Sequence, residues 1–98
     1  MQKTYKIFYI MIELKFSNNL NELLKMHNMS QQALANILGT TQSTISRWAK
    51  GITQPTYEDL LLISIIFNES IDFLLGKEDL SENQIAEIRN SLLSKKPM

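Results

Sequence analysis

Leu38-Gly39-Thr40-Thr41-Gln42-Ser43-Thr44-Ile45-Ser46-Arg47-Trp48-Ala49-Lys50-Gly51, LGTTQSTISRWAKG, is the stretch on which the reading of this chain turns. Two glycines bracket what reads as a short helix opened by Thr41. At about 100° per residue, Trp48 and Ala49 fall within about 60° of Ile45, and together these three form an inward face. Ser43, Arg47 and Lys50 fall about 140–200° away, with Ser46 flanking them. The outward face therefore carries hydroxyls, a guanidinium and an ammonium, and no carboxylate. A solvated helix ordinarily mixes Glu with Lys, so an acid-free face suits a negatively charged partner.

Just upstream, Ser30 is a good N-cap for a helix that carries Ala33, Leu34, Ile37 and Leu38 inward and ends at Gly39. Two short helices joined by a glycine turn are the layout of a helix-turn-helix, whose second helix enters the DNA major groove. The side chains fit base reading. A glutamine amide such as that of Gln42 pairs with adenine N6 and N7, and an arginine such as Arg47 with guanine O6 and N7. Gln31, just inside Ser30, lies where free backbone N–H groups favour a phosphate. On spacing alone, a plain solvated helix remains the alternative.

Outside this pair the pattern is mostly helical. Phe16, Leu20, Leu23, Leu24 and His27 recur at helical spacing, with His27 read as a surface or capping residue. Thr56 with Asp59 opens an almost wholly apolar helix over about Tyr57–Phe67. A short helix over about Ile71–Leu75 starts after Ser70 and ends at Gly76. Ser81 with Gln84 opens a sixth, amphipathic helix through Ile85, Ile88 and Leu92. Residues 95–98 are expected to fray. Residues 4–15, rich in Tyr, Ile and Phe, favour an extended strand with Phe8, Ile10, Ile12 and Leu14 on one side. A tail without fixed structure is the alternative there. The organisation expected is an N-terminal extension over 1–16, a DNA-binding domain over 17–76, and a linker with an amphipathic helix over 77–98.

The 98 residues suit one small domain. There is no cysteine and only one histidine, which leaves no disulfide framework, metal set or acid–base cluster from which to build an enzyme. No cofactor is expected, and no small-molecule ligand is evident. The apolar run Ile7–Ile12 is far shorter than the ~20 residues that span a bilayer, so a cytoplasmic protein is expected. Net charge is zero but uneven: residues 1–50 hold six basic side chains against two acidic ones, and residues 51–98 four against eight.

MSQQALANILGTTQSTISRWAKG, followed by QPTYEDLLLISIIFNESIDFLLG, resembles the phage repressor and Cro-like helix-turn-helix family over about residues 20–76. The matching positions are Met29, Ser30, Gln31, Leu34-Ala35, Leu38-Gly39, Thr41, Ile45-Ser46 and Gly51. Pro55, Leu60, Ile63, Phe67 and Leu74 fall where the family places its later core. The resemblance implies an all-α, lambda-repressor-like five-helix domain, here with the N-terminal strand and an extra C-terminal helix. It implies base contacts from Gln42, Ser43, Ser46 and Arg47, and phosphate contacts from Gln31, Thr44 and Lys50, with Trp48 in the core. It also implies a homodimer on a two-fold operator in double-stranded DNA, acting most simply as a repressor of prophage or small-operon type.

Two departures stand out. Family members often pair an Arg on the first helix with a Glu on the third; the corresponding positions here are Leu24 and Ala49. Losing one partner strands a buried charge, whereas replacing both with apolar groups is often neutral or better. Second, Leu62 and Ile65 stand where exposed polar residues are usual, and such a stripe needs a cover. One or both added terminal elements are expected to supply it, with a dimer contact nearby. A protein-interaction role, such as an antitoxin, is the second reading of function. Salt separates the two, because phosphate contacts weaken steeply as salt rises and apolar ones do not.

Overall fold

The computed structural model describes residues 2–94, including the side chains of residues 11, 12 and 15–94. Six α-helices follow in order: α1 (Gln2–Met26), α2 (Gln31–Leu38), α3 (Gln42–Ala49), α4 (Tyr57–Phe67), α5 (Ile71–Leu75) and α6 (Glu82–Ser94), with a 3-10 turn at Lys77–Asp79. The fold is all-α.

Each helix from α2 onward opens at a Ser or Thr whose hydroxyl accepts an N–H three residues on. Ser30 caps α2 at 3.0 Å, Thr41 caps α3 at 3.2 Å, and Thr56 caps α4 at 3.1 Å. Ser70 caps α5 at 2.9 Å. At Ser81 the exchange is reciprocal: its hydroxyl accepts from Gln84 N–H, and its own N–H donates to the Gln84 side chain at 2.8 Å. Such caps satisfy backbone donors that a helix end cannot, at about 1 kcal/mol each.

One core joins α1 to α5. Phe16, Leu20, Leu23 and Leu24 of α1 pack with Leu34 and Ala35 of α2, Ile45, Trp48 and Ala49 of α3, Ile63 and Phe67 of α4, and Leu74 of α5. Trp48 is thus a core residue. His27 is exposed, but its ring lies 5.0 Å from that of Phe67. Asn19 fastens α1 to the end of α5, donating to the carbonyls of Phe73 and Leu74.

Three expectations are corrected. The N-terminal strand is not formed: α1 begins at Gln2 and runs unbroken through residue 17. Residues 2–26 contain no Gly or Pro, and a helix satisfies its backbone within itself, whereas a lone strand needs a partner. The side chains of Phe8, Ile10 and Leu14 and the expected fraying of 95–98 lie outside the described residues. Ile37, read as inward, is exposed, and Ala35 takes the inward place instead. Finally, Leu62 and Ile65 remain exposed. The added element α6 buries no residue fully; it and α1 flank a cleft lined by Met11, Ile12, Leu75, Leu80 and Ile88.

Candidate nucleic-acid interface

The interface is built by the turn between α2 and α3. Gly39 ends α2 in the left-handed region at φ 72°. Its N–H donates to Asn36 O, and that of Thr40 to Ala35 O at 2.9 Å. These bonds close the last turn of α2, and Thr41 opens α3 two residues later. α2 and α3 pack on each other and α3 on α1, so the orientation of α3 is set by the core.

On the surface this leaves, Gln42, Ser43, Arg47 and Lys50 are exposed, and Ser46, Thr44 and Gln31 are half-buried. The outward face expected of α3 is therefore present. Neither salt bridge among the described residues, Lys15–Asp79 at 2.7 Å or Lys77–Asp72 at 4.0 Å, draws on Arg47 or Lys50. Thr44 differs from the rest: its hydroxyl lies 2.9 Å from that of Thr41, inside the cap of α3.

Gln31 and Gln42, each the first residue of its helix, are brought together. Gln42 Nε2 donates to Gln31 Oε1 at 2.6 Å. This bond uses one N–H hydrogen of Gln42 and leaves its Oε1 and second N–H hydrogen for other partners. Those are the two groups that read an adenine edge.

The sequence reading missed the support behind α3. Asn21 Nδ2 donates to the carbonyl of Ala49 at 2.9 Å, and the buried Ser17 hydroxyl donates to the same oxygen. Ala49 O belongs to the last turn of α3, whose carbonyls lack helical partners. Ser17, Asn21 and Leu24 recur at helical spacing on one side of α1. Two polar residues in line with a core leucine were the available signal. Among the described residues no cluster of three or more His, Cys, Asp or Glu could hold a metal, and no helix is long and apolar enough to cross a membrane.

The sequence model of the helix-turn-helix family matches residues 20–74, more than half of the chain, and the chain belongs to that family, in its Cro-like branch. It is similar to the HTH-type transcriptional activator BcrR of Enterococcus faecalis, 34% identical over 79 residues, covering 81% of this chain and 39% of that protein. It is similar to the HTH-type transcriptional regulator AnsR of Bacillus subtilis (strain 168), 36% identical over 61 residues, covering 62% and 53%. The uncharacterized HTH-type transcriptional regulator YqaE of the same organism is 36% identical over 63 residues, covering 64% and 54%. The chain spans about half the length of these relatives, or less. No solved structure matches it.

Proposed function

We propose that this chain is a sequence-specific DNA-binding transcription regulator that lays α3 in the major groove of a two-fold operator as a homodimer. The observation that carries this reading is the Gln42 amide, held by Gln31 on an exposed helix face without carboxylates. Gln42 reads adenine, Arg47 reads guanine, and Ser43 and Ser46 contact base edges beside them. Gln31 and Lys50 meet phosphates, Gln31 at the N-terminus of α2 where the backbone dipole also favours an anion. Thr44 has the weakest claim to a phosphate, because its hydroxyl already serves the cap. The relatives' names, two regulators and one activator, support a transcriptional role. Occupying an operator blocks polymerase, and on that ground we assign repressor-type action.

The test is a selection of bound sequences from random double-stranded DNA, followed by affinity measurements over a range of salt. A palindromic motif with half-sites about one helical turn apart is expected, with affinity falling steeply as salt rises. Recovery of no enriched sequence would overturn the reading.

A further inference from the structure

Among the described residues nothing covers the outer face of α4. Tyr57, Leu61 and Ile65 recur every fourth residue and so share one side of the helix, with Leu62 beside them. They are 80%, 50%, 66% and 44% exposed, respectively. Among the described residues, α1 packs on α3 and α5 instead, and Ile88 of α6 lines the cleft beside α1. α4 is apolar almost all round because its inner side, through Ile63 and Phe67, already belongs to the core. The outer apolar side chains therefore serve something other than the fold of one copy.

We propose that this face is where two copies of the chain meet, their α4 helices antiparallel about a two-fold axis at Leu61. The inference deepens the dimeric operator reading above and rests on it for its purpose. The size is right: four side chains at these exposures offer roughly 450 Å² of apolar surface. A standard interface buries about 800 Å² per partner, a little over half of it apolar. The pattern is also self-complementary, as a two-fold contact requires. With Leu61 on the axis, Tyr57 of one copy falls opposite Ile65 of the other. Glu58 flanks the stripe near one end of α4, so an axis at Leu61 sets the Glu58 of the two copies on opposite sides of the axis and not against each other. α4 carries no Lys or Arg, so no cation is trapped in the contact. The surface is neutral at its centre and greasy, as suits its own copy and not nucleic acid.

The chain has no cysteine, which makes the axis directly testable. The full chain carrying Leu61→Cys is oxidised mildly without DNA, with Leu93→Cys on exposed α6 as the control. Leu61→Cys is expected to give a covalent dimer and Leu93→Cys little or none. In parallel, sedimentation of the unmodified chain at tens of micromolar should show a dimer. Leu61→Lys with Ile65→Lys should weaken it on the order of 100-fold while helical circular dichroism is kept. A wild-type chain that stays monomeric with and without DNA overturns the proposal, as does a dimer that cross-links through Leu93→Cys but not Leu61→Cys. A Leu61→Cys dimer that selects no DNA sequence supports the interface and counts against the operator reading alone.

Discussion

Asn21 of α1 donates to the carbonyl of Ala49 at the end of α3, 28 residues away, at 2.9 Å. With the Ser17 hydroxyl on the same oxygen, it closes the helix that faces the proposed DNA. This contact stands beside Leu24 and Ala49, both in the core, the two positions at which the family resemblance implies an Arg–Glu ion pair. A neutral double cap ties the same two helices without burying charge.

Removing this cap should cost more jointly than singly. Ser17→Ala or Asn21→Ala alone leaves one donor on Ala49 O and should destabilise the protein by about 0.5–1.5 kcal/mol. The double variant leaves a carbonyl near the core unpaired and should lose clearly more than the sum. Urea unfolding of the four proteins gives the cycle, and simple additivity would show that the two donors do not share a function.

Ala49→Glu should be among the most damaging single changes in the domain. The new carboxylate enters a nearly closed site with no cation opposite it, at ~3 kcal/mol or more. For a domain of this size that lowers the melting temperature by more than about 10 °C. Adding Leu24→Arg should recover part of the loss. An unchanged melting temperature for Ala49→Glu would falsify the packing account.

On the proposed reading, the polar face of α3 divides into residues that choose sequence and residues that add affinity. Arg47→Ala should cost ~1–3 kcal/mol at the preferred site and relax base choice there. Lys50→Ala should weaken all DNA alike and lower the salt slope by about one. Gln31→Ala frees the Gln42 amide, so it should blur selection at the base assigned to Gln42 even though Gln31 is assigned to a phosphate. Competition binding with single-base operator variants reads all three. If Arg47→Ala instead weakened every sequence equally, Arg47 would be a phosphate contact.

Gly76→Ala should destabilise by about 1–3 kcal/mol, as read by thermal melting. The residue ends α5 at φ 86°, and a Cβ there would overlap Lys15 Cγ on α1. Gly39→Ala meets open space at φ 72° and should cost only the backbone term, about 1 kcal/mol. The difference between the two measures how tightly α1 lies on the end of α5.

Much of the fold was legible because its signals are local. Ser30, Thr41, Thr56, Ser70 and Ser81 each cap the helix that follows, through an N–H three residues on. Gly39 and Gly76 each end a helix with φ positive. The inner faces of α1 and α3 followed from spacing alone. Residues 4–15 misled for a local reason too: their Tyr, Ile and Phe content favours a strand, but the core-anchored half of α1 offers a helix to extend and no described strand offers a partner.

The amino-acid sequence by itself determined where α2 to α5 start and stop and where α6 starts, which face of α3 is polar, and that this face bears no acid. Each of these is settled within a turn or two of the residue concerned, by capping geometry and the helical period. Only the tertiary structure decided which amide Gln42 meets, what holds the end of α3, and that Leu62 and Ile65 stay uncovered. Those depend on contacts between residues 11 to 32 apart and on where α6 comes to lie. Such placements follow from the packing of the whole core, which no single stretch of the chain encodes.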